Sequence, residues 1–336
     1  MTQYVSTTPG LYPLPDWSKE VLQDLKGNQK EDLIDGTEGG KIRETYDDVR
    51  TELLKRQGEA GLDRIVEGQG RWDDFLAHPL TVHENVETRG IVRYYNNNNF
   101  YREPVVTGEL TFSGDVAADL DAAATQVETG LQAVLPGPYS LADLATDSYY
   151  GDEEEFLAAV TQFLAGEIEA FPSVETVFLL EPSLVETPFE NERGESVSEA
   201  IDTVASAVDA DVVLFPYWGA LEDHVYAHVL DADFDALGYD LVSNHDDNIY
   251  NAQEYGTPDD VALGVVDGKN TLVESPETVR ERVEWFESQT PLETYGTVYV
   301  TSNVELCYLP QARFEEKLDV LGKFTAPAEE ETGVVA

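Results

Sequence analysis

Residues 261–266 read VALGVV and residues 212–215 read VVLF, and these two stretches decide the fold class. Neither stretch alternates apolar with polar residues, as a strand with one solvated face would. A continuously apolar strand suits a parallel sheet that is covered on both faces. The two stretches therefore predict an α/β protein.

Similar short runs recur along the chain and alternate with amphipathic helical stretches. The predicted strands are Val105–Phe112, Thr176–Leu180, Val212–Pro216, Leu241–Ser243, Val261–Val266 and Val298–Thr301. The predicted helices are Ile42–Glu59, Val116–Leu135, Glu153–Ala170, Val197–Val208, Val225–Ala236, Pro276–Ser288 and Gln311–Leu321. So many βα units favour one TIM-like (β/α)8 barrel, and the missing GxGxxG turn argues against a dinucleotide-binding sheet.

The barrel is expected to occupy residues 1–325 as a single domain. It would include a polar N-terminal segment and a loop-rich region near residues 83–104. The Glu-rich segment 326–336 is expected to form an acidic disordered tail.

The charge predicts the environment of the protein. The chain has 67 acidic and 20 basic residues and a formal net charge of -47. Self-repulsion of this size opposes folding in dilute buffer, whereas molar salt shortens the Debye length to about 3 Å. Because the acid is spread along a chain with 42% hydrophobic residues, it predicts the surface of a folded halophilic protein. Nucleic acid and anionic membranes are excluded as partners by the same field.

Three further features predict a cytoplasmic location. The N-terminus lacks the basic and apolar regions of a signal peptide. No apolar stretch approaches the length of about 20 residues that crosses a bilayer. Cys307 is the single cysteine, so no intramolecular disulfide framework exists.

Seven motifs carry a family resemblance. STTPGLYPLP (6–15), QGEAGLDRIVEGQGRWDDF (57–75) and FLLEPSLVE (178–186) resemble the TTxxGSFPRP, QxxxGLDxxxxGExxRxDM and QxDEPALxE segments of cobalamin-independent methionine synthase. Four others resemble the N-terminal half of that family: RYYNNNNFYREPVV (93–106), FPYWG (215–219), SNHDDNIYN (243–251) and LGVVDGKNTLVES (263–275).

The resemblance implies a methyltransferase that forms methionine from homocysteine and a methyl donor. The donor would be a methyl-folate or a methylcorrinoid, and the family binds zinc through a His-x-Cys pair, a Glu and a second Cys. Zinc lowers the pKa of the homocysteine thiol so that a thiolate attacks the methyl group.

Several family positions are altered in this chain. Gly10 is kept but is followed by leucine instead of serine, Gln69 replaces a glutamate, and Leu180 replaces an aspartate. Glu186 matches a family residue that would hold the amino end of homocysteine. The resemblance makes Gly10, Gln69 and Glu186 candidate substrate-binding residues.

The zinc ligands are altered most. The chain has no His-x-Cys pair, His245 resembles the position of the Glu ligand, and Val304 stands where a Cys is expected. A substitute zinc site of His224, His245 and Cys307 is one hypothesis, because all three are zinc-competent and follow predicted strands. The alternative is that each histidine is a hydrogen-bonded structural residue and the cysteine a small buried hydrophobe.

Four more candidates lie at predicted strand ends. Glu181 could bind a cationic amine or cap a helix. Trp218 could stack on a flat pterin or close the barrel with an aromatic side chain. Asp246 and Asp247 could line an amino-acid or pterin site or cap a helix N-terminus.

Two functions follow as hypotheses. The first is a methionine-synthase-family protein that methylates homocysteine. It would act either through its own substitute zinc site or as one half of a split enzyme with a second methionine-synthase-like chain. The second is a non-catalytic binding or regulatory subunit that keeps a vestigial homocysteine or folate pocket. A different barrel chemistry stays open, because a fold alone does not fix a function.

Overall fold

A computed structural model describes residues 2–22, 39–72, 74, 76–93, 95 and 100–325. Eight short strands form one parallel sheet. They are β1 (Gln3–Ser6), β2 (Ile65–Val66), β5 (Leu131–Pro136), β7 (Thr176–Leu180), β8 (Asp211–Phe215), β9 (Ala236–Asp240), β10 (Asp260–Val266) and β11 (Thr297–Ser302).

The sheet order follows the chain and closes on itself. β1 pairs with β11, and the order then runs through β10, β9, β8, β7 and β5 to β2. At the remaining gap the Ser6 carbonyl accepts hydrogen bonds from the backbone N–H groups of Asp63 and Arg64, each at 3.1 Å. The first and last strands of the order are therefore neighbours, and the predicted TIM-like (β/α)8 barrel is confirmed.

Helices cover the outside of the barrel. They are α1 (Asp16–Leu22), α2 (Gly40–Ala60), α3 (His78–Thr81), α4 (Asp115–Ala124), α5 (Pro138–Asp143), α6 (Glu153–Glu169), α7 (Ser183–Glu186), α8 (Gly194–Ala205), α9 (Asp223–Val229), α10 (His245–Tyr255), α11 (Pro276–Gln289) and α12 (Gln311–Thr325). Capping starts some of them where the sequence predicts: the Asp152 side chain accepts from the N–H groups of Glu154 and Glu155 ahead of α6. No helix among the described residues is long and apolar enough to cross a membrane.

Aromatic side chains fill the barrel interior. The rings of Phe178 and Phe215, on adjacent strands β7 and β8, lie 5.6 Å apart. The ring of Phe178 also meets that of Tyr299 at 6.2 Å. Because β11 lies four places from β7 in the sheet order, this contact crosses the barrel. The interior is thus a packed core and not a channel.

The region near residues 83–104, expected to be rich in loops, contains a hairpin. β3 (Val86–Arg93) and β4 (Phe100–Val106) are antiparallel, and β6 (Thr146–Asp147) extends them into a small separate sheet. The predicted strand Val105–Phe112 is wrong as a barrel strand, since β4 ends at Val106. The expected disordered tail, 326–336, lies outside the described residues.

Three more predicted elements need correction. The helix predicted over Val116–Leu135 ends at Ala124, and its last part is β5, because Gly130 at φ 78° turns the chain against the Asp63 carbonyl. The helix predicted over Val225–Ala236 ends at Val229. The strand predicted at Leu241–Ser243 is a turn that follows β9.

Candidate functional site

The C-terminal ends of the eight barrel strands meet at one end of the molecule, which we call the barrel mouth. Its loops carry the residues that directly follow each strand, and in barrels of this kind functional groups gather there. The described mouth residues used below are Gly10, Leu11, Gln69, Gly137, Glu181, Tyr217, Trp218, Asp240, Lys269, Glu305, Cys307 and Tyr308.

Strained backbone marks three of these loops. Leu11, Gln69 and Trp218 have φ angles of 58°, 51° and 77°, a region that costs a non-glycine residue free energy. They follow β1, β2 and β8 respectively. Strain that the fold maintains at several strand ends is typical of a functional site.

Gly10 and Gln69, predicted to bind substrate, contact each other. The Gln69 Oε1 atom accepts a hydrogen bond from the Leu11 backbone N–H at 2.8 Å. A Cβ atom on Gly10 would lie 2.6 Å from the same oxygen, and φ there is 74°, so glycine is required. The two residues hold the β1 and β2 loops together, and their substrate contact stays a prediction.

A buried network of charged side chains holds the turn at Gln69 through Glu67. The Glu67 Oε2 atom accepts from the Gln69 N–H at 2.7 Å, and its Oε1 atom accepts from Arg50 Nε at 2.8 Å. Arg50 also donates to Asp119 at 2.8 Å and to Asp47 at 2.7 Å. The sequence did not single out Arg50, which looks like any surface arginine of an amphipathic helix.

Partnerless polar atoms concentrate at one side of the mouth. Among the described residues, seven buried side-chain N or O atoms have no hydrogen-bond partner. Five of them lie at or just beyond the ends of β8, β9 and β11: Tyr217 Oη, Trp218 Nε1, Asp240 Oδ2, Thr301 Oγ1 and Glu305 Oε2. Since a native fold leaves few such atoms, this cluster marks the place where water or a ligand would supply the partners.

Glu305 is the most unusual residue of this side. It is fully buried, and its Oε1 atom accepts from the Tyr308 hydroxyl at 2.6 Å while Oε2 stays unpaired. Burial raises the pKa of Glu305 to about 7. Burial, with the nearby Glu305 carboxylate adding to it, raises the pKa of the Cys307 thiol well above its ordinary value. Cys307 is therefore a neutral thiol at neutral pH.

Trp218 lies between charged and aromatic neighbours. The Lys269 ammonium lies 5.0 Å from the centroid of the indole ring. Tyr95 and Tyr217 meet the ring edge-on, at 5.2 and 4.9 Å. A flat pterin would have to displace Lys269 to stack on the face that the lysine covers. Partial desolvation raises the pKa of Glu186, whose side chain is still largely exposed, and the charge of Lys269 opposes that rise.

Glu181 has the helix-capping role. Its two oxygens accept from the backbone N–H groups of Tyr139 and Ser140, at 2.9 and 2.7 Å, at the start of α5. The residue is fully buried, and burial raises its pKa to about 7. Its carboxylate is already paired, so an amine contact would have to replace these bonds.

We expect Gly137→Ala to lower the free energy of unfolding by roughly 2–3 kcal/mol. A Cβ atom at Gly137 would lie 2.2 Å from Glu181 Oε1, so the carboxylate must move away from the two N–H groups. Urea unfolding in molar potassium chloride measures the change. Gly58→Ala is the control, because a Cβ there meets nothing within 4 Å on an exposed helix face. Equal stability of both variants would contradict the capping role.

Asp246 and Asp247 lie exposed in the first turn of α10. Negative charge is favourable there because of the helix dipole. The side chain of the N-cap residue Asn244 makes no capping hydrogen bond. The position thus suits a solvated helix start, and the proposed polar wall stays a prediction.

The three candidate zinc ligands are not brought together. His224 Nε2 lies 2.7 Å from the Phe189 carbonyl, and the His245 ring packs against Trp285 at 5.5 Å. Cys307 lies in the mouth beside Glu305. Across the described ranges, no three His, Cys, Asp or Glu side chains form a group that could hold a metal. The described residues therefore do not fit the zinc that the family resemblance implies.

The fold defines a (β/α)8-barrel protein, and its candidate functional site lies at the barrel mouth. A family model described as "Cobalamin-independent synthase, N-terminal domain" matches residues 81–291, more than half of the chain. The chain therefore belongs to the cobalamin-independent methionine synthase family, a family of methyltransferases, as the motifs predict.

Individual relatives agree with this assignment. The methionine synthase of Saccharolobus solfataricus is 24% identical over 304 residues, which cover 84% of this chain and 83% of the relative. That of Sulfurisphaera tokodaii is 23% identical over 282 residues, covering 82% and 78%.

Solved structures share the fold. A B12-independent methionine synthase from Shewanella sp. W3-18-1, in complex with selenomethionine, superposes with a TM-score of 0.77 at 16% identity, covering 96% of both chains. A putative vitamin-B12-independent methionine synthase from Listeria monocytogenes gives a TM-score of 0.68 at 15% identity, covering 97% and 98%.

Proposed function

We propose that this chain takes part in the methylation of homocysteine as the N-terminal-like half of a split methionine synthase. Its partner would be a second methionine-synthase-like chain that carries the zinc ligands. The observation that carries the proposal is the mouth, where five partnerless buried atoms indicate a small-molecule site on a barrel of this family. A methyl-folate is the favoured donor, because the matching family is cobalamin-independent.

The part assigned to this chain is to bind and position. The mouth offers buried acceptors and donors, and the strained loops at Gln69 and Trp218 fix their direction. Activation of the homocysteine thiol is not assigned to this chain, because its described His and Cys residues are separated. Cys307 in particular is a half-buried thiol whose pKa is raised, with Glu305 as its neighbour.

The test is a reconstitution in molar potassium chloride. This chain is mixed with a purified methionine-synthase-like chain that has a His-x-Cys pair, and methionine is measured from homocysteine and methyl-tetrahydrofolate. We expect methionine only when both chains are present. Trp218→Ala should reduce the rate and Leu292→Ala, where the side chain is 94% exposed, should not.

Other outcomes replace the proposal. Turnover by this chain alone would refute the split form, and turnover only with a methylated corrinoid protein would refute the folate donor. Ligand binding without turnover in any combination would favour the second function, a non-catalytic binding subunit. The observation that supports this second function is that the described candidate zinc ligands lie apart from one another.

A further inference from the structure

The partnerless atoms of the mouth fall into two chemical classes. Glu305 Oε2 can only accept a hydrogen bond when the carboxyl group is ionised, whereas Trp218 Nε1 can only donate one. The Tyr217 hydroxyl can do either. A single ligand that satisfies this set must offer both an N–H donor and an oxygen acceptor.

The acceptor is held firmly. The Tyr308 hydroxyl occupies Glu305 Oε1 at 2.6 Å, so the carboxylate cannot rotate without losing that bond. The residue is completely buried, so bulk water does not supply a hydrogen-bond partner for Oε2. An ammonium group is the partner that both completes the hydrogen bonds and neutralises the buried charge.

A positive charge, that of Lys269, lies on the donor side. Within the described ranges the Lys269 ammonium has no carboxylate at ion-pair distance, although its charge opposes the rise in the pKa of Glu186 and of Glu305. Its ammonium lies 5.0 Å over the Trp218 ring, next to the Nε1 donor of the same indole. An exposed lysine held over a tryptophan without an ion pair is available for an anion that approaches Nε1.

We propose that Glu305 and Lys269 are the pair that recognises an α-amino acid, with its ammonium on Glu305 and its carboxylate on Lys269 and Trp218 Nε1. This assignment rests on the proposed function, since homocysteine is the amino acid of that reaction. Glu186, which the family resemblance assigned to the amino end, is exposed, whereas Glu305 is buried.

A folate tail is the competing ligand, and the charges disfavour it. A glutamyl tail has carboxylates but no ammonium group, so Glu305 would remain unpaired. It would also bring negative charge towards Glu186 and Glu305. The electrostatic penalty for like charges makes the zwitterion the better match.

Calorimetry in molar potassium chloride tests the proposal with four probes. They are L-homocysteine, L-methionine, 4-mercaptobutyric acid, which lacks the amine, and 3-mercaptopropylamine, which lacks the carboxylate. We expect both amino acids to bind and each truncated probe to bind at least about tenfold more weakly.

Two variants give a crossed pattern that a merely structural role would not produce. Lys269→Met should weaken the amino acids about tenfold and leave the amine probe unchanged, and Glu305→Gln should weaken them and leave the acid probe unchanged. Lys55→Met, on an exposed face of α2, is the matched control and should change nothing.

Equal weakening of both truncated probes by each variant would overturn the assignment. So would binding of methyl-tetrahydrofolate triglutamate, lost in Lys269→Met, without binding of any amino acid. These measurements need neither a second chain nor turnover. If the crossed pattern is found and reconstitution yields no methionine, the proposed function fails while the recognition pair stands.

Discussion

Replacing Arg50 with methionine is expected to lower the free energy of unfolding by about 4 kcal/mol. The guanidinium is 4% exposed and makes three charged hydrogen bonds, to Asp47, Glu67 and Asp119. Methionine fills a similar volume but leaves the buried Glu67 carboxylate without its cation, and Asp119 keeps only Arg71. Removal of one member of a buried charge group costs far more than the pair itself contributes.

Thermal and urea unfolding in molar potassium chloride measure this loss. Asp47→Asn is the control, because that carboxylate is 69% exposed and its bond to Arg50 should contribute less than about 1 kcal/mol. Adding Glu67→Gln to Arg50→Met should recover part of the loss, since one uncompensated charge is removed. A loss below about 1 kcal/mol for Arg50→Met would show that water reaches the network.

The barrel was predictable because four of its strands are continuous apolar runs. β7, β8, β10 and β11 were each predicted to within a few residues, since burial on both faces leaves a direct trace in the sequence. β5 left no such trace. Its Gln132 is fully buried in the barrel, where it accepts from the Thr7 hydroxyl and donates to the Thr8 carbonyl. A polar residue satisfied across the barrel cannot be distinguished from a surface residue by sequence.

The shortest strands were missed for another reason. β1 has four residues and β2 has two, which is too few for any periodicity. Their positions are set by pairing with neighbours and by the Asp63 side chain, which accepts from the Ser6 N–H at 2.9 Å. Such long-range contacts are a property of the fold, and local sequence does not reveal them.

The sequence predicted where the candidate site lies but did not predict all the residues that form it. Motif positions such as Gly10, Gln69 and Trp218 do lie in strained mouth loops. Glu305 and Lys269 belong to the same strand-end segments, but nothing in sequence separates them from other charged residues. Their importance comes from an oxygen left without a partner and an ammonium left without a carboxylate, and both are visible only in three dimensions.

Glu305→Gln should weaken amino-acid binding and remove the pH dependence that the buried carboxyl imposes on stability. In the unfolded chain this carboxyl has a pKa near 4.5, and burial raises it to about 7 in the fold. Between these values the folded chain holds a proton that the unfolded chain has lost. Wild-type stability therefore falls as pH rises through this window, by about 3 kcal/mol from this group.

Glutamine does not titrate, so the difference in unfolding free energy between variant and wild type should rise with pH through the same window and level off above about pH 7. Urea unfolding at several pH values between about 5 and 8 measures it, and the exposed Glu199→Gln should show no such rise. A flat difference for Glu305→Gln would mean that the carboxyl is ionised at ordinary cost. A rising difference, together with lost binding, would mean that the fold keeps a destabilising carboxylate for the ligand's ammonium, because an inert core position would favour the neutral amide.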